Sequence, residues 1–383
     1  PSMRCRSGLH RAISLAVLLN AFALPSVSHA QAARGSSGSF AHGKPLADWI
    51  VQADHYIPEL RREAIKAIAS LGPGAREALP ILIRATRDEN EDVRFWAVEA
   101  IRRIGASARD AAPALLVVLA DDTRRVQLGA KAALEGIGPA ATPVLAPALR
   151  SSDPWLRANA AEALGAIGDG KGPVVPGLIG LLSDDSLWVR ASAAWALGHL
   201  GNPAKPAAKP LTRALQDELR RDPAISEASQ RVRVRNLVFA LGRLGKNGGD
   251  AVPLIISVLH DGDDSLRVTA GEALALIGAK AAQPLGLAVR SARMPVRLEA
   301  ARALRLMGPA GKRAVPDLIK VLEGTDELEG GRELVIATCD AVGAMGKEAK
   351  SALKILQRQR QRNTTPDVLD ALDRAIRKVR YGA

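Results

Sequence analysis

Apolar and small residues along this chain repeat in a fixed phrase. Leu60-Arg61, Ala64, Ala67-Ile68, Leu71-Gly72 comes back as Val93-Arg94, Ala97, Ala100-Ile101, Ile104-Gly105. It returns as Leu156-Arg157 to Ile167-Gly168, Val189-Arg190 to Leu200-Gly201, Leu266-Arg267 to Ile277-Gly278 and Val296-Arg297 to Met307-Gly308. Degenerate copies put Gln127, Val234 and Val335 in the Arg slot, so nine copies stand in all. Counted from that slot as zero, apolar side chains fall at −1, +3, +6, +7 and +10, which is one stripe of an α-helix. The Gly at +11 is placed to end that helix at positive φ. Eight residues later Pro80, Pro113, Pro176, Pro253 and Pro316 suit the first turn of another helix, where a missing N–H costs nothing. Each unit therefore reads as two antiparallel helices. Neither buries its stripe alone, so neighbours must stack and share one elongated core.

The slots at 61, 94, 127, 157, 190, 234, 267, 297 and 335 are separated by 33, 33, 30, 33, 44, 33, 30 and 38 residues. These motifs resemble the HEAT-repeat family, in the short alanine-rich variety associated with phycobilisome lyases, over about Pro45 to Arg380. The resemblance implies an all-α fold, an α-solenoid winding as a right-handed superhelix of about nine HEAT-like hairpins. It also implies a ladder in which a turn Asp meets the Arg six residues later: Asp88 with Arg94, Asp184 with Arg190, Asp261 with Arg267. Ser151 and Ser291 stand where that Asp would precede Arg157 and Arg297, and Asp121 precedes Gln127, so the ladder is expected to be intermittent. In this family the second helix of each hairpin usually lines the concave surface.

Ahead of the repeats, Arg4, Arg6 and Arg11 precede an apolar stretch from Ala12 to Leu24, then Pro25 and Ser28-His29-Ala30. Basic, apolar and small-residue zones in that order read as a signal peptide over 1–30, cleaved after Ala30. The apolar stretch is shorter than the roughly 20 residues that cross a bilayer, so no transmembrane segment is expected in the mature chain. Gly- and Ser-rich residues 31–44 read as a flexible leader, with the solenoid over 45–383. Alanine richness and 39 Arg against 14 Lys point to a GC-rich bacterial genome, and so to a periplasmic or secreted protein.

Composition changes the picture mainly by exclusion. Only four Phe, five Trp and two Tyr occur, few for a compact enzyme core, and two cysteines rule out a disulfide scaffold or a cysteine-built zinc site. Cys5 leaves with the signal, and Cys339 reads as a small helix side chain. Six histidines show no metal-ligand spacing. Deoxyhypusine hydroxylase shares the repeats but binds iron through His-Glu dipeptides, which are absent here. Asp261 to Ser265 lacks the closing Glu of a calcium loop and reads as a helix cap. No nucleophile elbow or phosphate loop is present, so no catalytic residue, cofactor or metal is assigned. A bilin-lyase activity rests on the repeat likeness alone.

Charge is uneven. The net charge is +13, or +10 without the signal, and residues 205–246 and 347–383 carry +6 each. The first of these contains the 44-residue step, an insertion at about 216–230. On the second helix, slots +1, +5 and +8, with +9 at their edge, oppose the apolar stripe. Slot +5 is polar or small except at Trp195 and Phe239, in adjacent repeats, with His199 and Arg243 four residues on and Arg235 a turn earlier. Aromatic and Arg side chains together on a polar face have the composition of an interface hot spot. Trp195, His199, Arg235, Phe239 and Arg243 are therefore the candidate partner site, against the alternative that the rings merely pack on neighbouring segments. Trp155 and Trp188 share slot −2, a recurrence that favours packing. The basic C-terminal residues 347–383 read as capping helices able to attract an anionic polymer or membrane surface. The expected function is a non-enzymatic exported scaffold binding a protein or envelope partner through its concave face. Nucleic-acid binding is the alternative, weighed against by export and by the neutral charge of residues 31–204.

Overall fold

The computed structural model describes residues 40–221, 225, 227–324 and 331–382. The expected signal peptide over 1–30 therefore lies outside the described residues. The repeat phrase folds as read: every second helix carries its stripe inward, as with Val93, Ala97, Ala100, Ile101 and Ile104. These second-row helices are α2 (Pro58–Ser70), α4 (Glu91–Ile104), α6 (Arg124–Ile137), α8 (Pro154–Ile167), α10 (Leu187–Leu200), α12 (Ala228–Arg243), α14 (Asp264–Ile277), α16 (Met294–Met307), α18 (Gly331–Met345) and α20 (Pro366–Tyr381). The first-row helices are shorter: α1 (Leu46–Gln52), α3 (Leu79–Ala85), α5 (Ala112–Val118), α7 (Thr142–Ala148), α9 (Val174–Leu181), α11 (Ala208–Arg221), α13 (Val252–Asp261), α15 (Ala279–Ala288), α17 (Val315–Glu323) and α19 (Leu353–Arg362). Ten hairpins thus stack in line among the described residues: nine carry the repeat phrase, and α19/α20 close the row. The fold is an all-α solenoid.

All nine +11 glycines adopt positive φ, between 54° and 82°. Most lead into a 3-10 turn before the first-row helix starts, and alanines in these turns are wholly buried, among them Ala75, Ala108, Ala204 and Ala251. That close packing of turn on turn accounts for part of the alanine content, and the helix slots +3 and +6 for more of it. The chain is ordered earlier than Pro45: Phe40–Ala41 pairs with Lys44–Pro45 as a tight hairpin, and Trp49 Nε1 donates to the Ala41 carbonyl at 3.0 Å. The end of the expected leader is thus pinned to the first repeat.

The Asp–Arg ladder exists, but its rungs run between repeats. Arg61 binds the Asp88 carboxylate with Nε and Nη2 at 2.7 and 2.8 Å, and Arg157 binds Asp184 at 2.8 Å through both. Arg94 does the same with Asp121. Toward the Asp six residues before it, each Arg instead donates to the main-chain carbonyl: Arg94 to Asp88 at 3.0 Å, Arg190 to Asp184 at 2.7 Å. Each Arg therefore closes its own turn and clamps the next repeat. The expected Asp261–Arg267 pair does not form. Arg267 donates to the Gly262 carbonyl, and Asp263 caps α14 by accepting from the Leu266 amide.

The insertion lengthens α11 to 14 residues and supplies Glu218, which is 4% exposed and lies where the next rung would be. Glu218 pairs with Arg190, Arg221 and buried Arg233, and its carbonyl accepts from Gln230 Nε2 at 2.6 Å. Desolvation outweighs Glu218 at Arg190 and holds that guanidinium below its ordinary pKa. The extra residues are thus tied into the stack at the N-terminal end of α12.

Candidate partner-binding face

Slots −2, +1, +5 and +8 or +9 lie three or four residues apart and share one face of each second-row helix. On α10, Trp195 and His199 stack with ring centroids 3.7 Å apart, and the His199 ring lies 5.2 Å from Phe239 on α12. His199 Nδ1 sits 2.9 Å from the Trp195 carbonyl; that oxygen can only accept, so Nδ1 carries the proton of this bond. Three of the five candidate residues are thus one continuous aromatic step between two repeats. Trp195 and Phe239 are half-buried, and His199, Arg235 and Arg243 are exposed.

What the rings rest on also corrects the assignment of slot +8. Gly165, Gly198 and Gly242 are buried rather than open, because consecutive second-row helices touch there. A Cβ on Gly165 would lie 2.6 Å from the Ala196 Cα and 3.1 Å from the Trp195 ring; one on Gly198 would lie 2.7 Å from the Phe239 ring. Each ring therefore fills the notch left by a glycine on the preceding helix. This is packing on neighbouring helices, which accounts for the buried half of each ring and leaves the other half available. The insertion is anchored elsewhere, through Glu218.

The two arginines behave differently from the other charges nearby. Among the described residues, no hydrogen bond or ion pair engages Arg235 or Arg243, whereas Arg231 pairs with Asp263 and Arg233 with Glu218. The first basic island is therefore not one patch: Lys205, Lys209 and Arg213 lie on the first-row side, Arg233 is internal, and only Arg235 and Arg243 join the aromatic step. On α4, by contrast, the Arg–aromatic pairing is satisfied within the fold. The Arg125 guanidinium lies 4.0 Å from the Phe95 ring centre, and Lys66 covers Trp96 at 5.4 Å.

Trp155 and Trp188, expected to pack, are 58% and 66% exposed. Slot −2 lies in the first helical turn on the outward face, where recurrence in adjacent repeats makes a surface row rather than a core layer. Exposed Leu128, Val268, Leu276 and Leu306 extend that row onto α6, α14 and α16. A count of large apolar residues at slots −2, +1 and +9 would have found it.

Elsewhere the chemistry is sparse. Cys339 is buried, and desolvation pushes its thiol up to about 12. Among the described residues no cluster of three metal-ligating side chains occurs, and no helix is long and apolar enough to cross a membrane. On the terminal pair, Lys350, Lys354 and Arg358 form an exposed stripe, while Arg360 pairs with Asp373 and Arg374 with Asp370.

Comparison with known families agrees with this geometry. HEAT repeats match at residues 45–135, 112–173 and 142–227, and a PBS lyase HEAT-like repeat matches at 296–324, together more than half of the chain. The chain belongs to the HEAT-repeat family. No curated protein matches its sequence. Among solved structures, this HEAT solenoid is similar to importin β, at 17% identity and a TM-score of 0.57 over 87% of this chain and 52% of that one. Kap95p, in the structure that describes its binding to RanGDP, gives 14% and 0.61 over 87% and 51%; Kap95 with Nup1 gives 15% and 0.53 over 86% and 46%. The chain spans about half the length of these proteins, and at such identity the likeness is one of fold. A phycocyanin lyase complex from Nostoc, CpcE with CpcF, is similar at 19% identity and a TM-score of 0.34 over 79% of this chain and 94% of that one, too low to argue for lyase activity.

Proposed function

We propose that this HEAT protein is a non-enzymatic scaffold, exported by its N-terminal segment, that binds another protein through the face of its second helix row. The observation that carries this reading is the aromatic step Trp195–His199–Phe239, half-covered by its neighbours and flanked by the unengaged Arg235 and Arg243. Rings held in fixed orientation by glycine notches lose little freedom on binding, which favours affinity. Second-row helices meet at glycine and alanine, backbone close to backbone, which supports reading their row as the concave face. The similar solenoids Kap95p and Kap95 are described with the protein partners RanGDP and Nup1, which supports partner binding as a use of the fold.

The test is capture of partners from the envelope fraction by the mature chain, wild type against Trp195→Ala/Phe239→Ala. Helical content should be unchanged and the enriched protein should be lost in the variant; equal enrichment by a folded variant overturns the site. The stripe Lys350, Lys354 and Arg358 favours a second reading, attachment to an anionic polymer or membrane surface through the terminal pair. Retention on anionic vesicles that disappears when the three are changed to Gln is its signature.

A further inference from the structure

The second-row face carries more apolar surface than the aromatic step alone. Trp155 and Trp188 project from α8 and α10, and the row continues through Val268 and Leu276 on α14, 43% and 55% exposed. No ring or cation packs on either tryptophan among the described residues. Soluble proteins seldom leave such a row uncovered without a use for it. Its charge is confined. Across α10 and α12 this face holds Arg235 and Arg243 and no carboxylate, whereas Glu162 on α8 is held by Lys131 and Ser192, and Glu272 on α14 is exposed.

From this we infer that the row receives an acidic polypeptide segment in extended conformation, carrying an aliphatic or aromatic side chain at about every third residue. Packed helices lie about 8–10 Å apart, and a chain extended in the polyproline II form turns once in three residues while rising roughly 3.1 Å per residue, so every third side chain faces the same way and three residues carry one anchor from each repeat to the next. The anchors lie over the exposed rings, and the acidic groups between them reach the two guanidinium groups, which favour planar bidentate contact with carboxylates. A single-stranded nucleic acid fits less well. Its phosphates recur at every nucleotide, while the two cations sit on the single helix α12 with carboxylates on α8 and α14 to either side, and beyond α12 the row offers aliphatic side chains rather than rings for bases.

This inference rests on the proposed protein-binding function and adds the partner's chemistry. The probe is a fluorescein-labelled peptide of repeating Leu-Glu-Glu, about fifteen residues long and so roughly 50 Å when extended. Its binding to the full mature chain is followed by fluorescence anisotropy. Counterparts of repeating Leu-Lys-Lys and Gly-Glu-Glu, and an oligothymidylate of similar length, are the comparisons. The Leu-Glu-Glu peptide should bind, weaken as salt rises, and lose about tenfold in affinity in each of Arg235→Glu/Arg243→Glu and Trp155→Ala/Trp188→Ala, while the other probes bind about tenfold more weakly. Equal binding of Gly-Glu-Glu, tighter binding of the oligothymidylate, or indifference to both variants overturns the inference. If the partner captured through Trp195 and Phe239 is kept by Arg235→Glu/Arg243→Glu and is insensitive to salt, the acidic chemistry fails while the binding face stands.

Discussion

Arg267 shows at one residue what the rungs contribute. In Arg61, Arg94 and Arg157 the Nε donates to the carboxylate of the next repeat. In the repeat after Arg267 the equivalent slot holds Ser291, and the buried Nε of Arg267 has no hydrogen-bond partner. The earlier Ser151 creates no such gap, because Gln127 replaces the Arg that would need it and bonds the Asp121 carbonyl at 2.5 Å. Ser291 otherwise mimics the ladder Asp, its Oγ accepting from the Arg293 amide as Asp184 Oδ1 accepts from Ser186. Ser291→Asp should therefore keep the turn and give Arg267 its anion. An added charge-assisted bond at a buried site is worth about 1–2 kcal/mol. The variant should resist urea more than wild type, and Ser291→Asn, which keeps the turn without the charge, should gain much less. Equal stability of all three would mean that Arg267 already meets its needs through the Gly262 carbonyl and the exposed Asp264, whose carboxylate lies 3.5 Å from its Nη2.

Among the helices, glycine marks where second-row neighbours touch. Helix propensity alone favours replacing a helical Gly by Ala by roughly 0.5–1 kcal/mol. At Gly165 the added Cβ would meet the Ala196 Cα at 2.6 Å, a backbone atom that cannot turn aside, and overpacking costs about 1–3 kcal/mol. At Gly180, on α9, the Cβ would meet nothing within 4 Å. Gly165→Ala should thus lower stability and quench or shift the Trp195 fluorescence, while Gly180→Ala should raise stability; chemical denaturation reads both signs. The sequence pattern could not separate these glycines, since both sit off the apolar stripe. The stripe, the caps and the hairpin count were legible because many copies average out local noise. The rungs were misread for a plain reason: in a 33-residue period, an Asp six residues before one Arg is also 27 after the previous one. The candidate rings were found by type and slot, and the exposure of Trp155 and Trp188 follows from their outward slot, but the glycine seats depend on neighbours that no single helix reveals.

Along the whole molecule, repeats are joined by apolar contacts and by ion pairs, the rungs among them, and the ion pairs respond to pH. Burial pushes the Asp184 carboxyl up, but the Arg157 guanidinium and the Ser186 amide outweigh it, and the group ends below its ordinary 3.8. At Glu99 the hydrogen bond from Arg102, helped by Arg103, outweighs burial and holds the carboxyl below 4.5. A carboxyl lowered on folding binds its proton more readily in the unfolded chain. Its contribution is therefore complete above the unfolded value and is lost as pH falls through that value toward the folded one. The stack should lose stability as pH drops through about 4, first between repeats clamped by Asp–Arg rungs. Asp184→Asn should lower stability at neutral pH by roughly 1–3 kcal/mol, since the half-buried Arg157 guanidinium keeps a neutral partner in place of an anion. It should also flatten the acid limb of a plot of urea midpoint against pH. A stack is a chain of nearest-neighbour couplings, so the break should appear locally, as faster amide exchange in α8 and α10 than in α14 and α16. An unchanged acid limb in the variant would place the pH dependence outside the ladder.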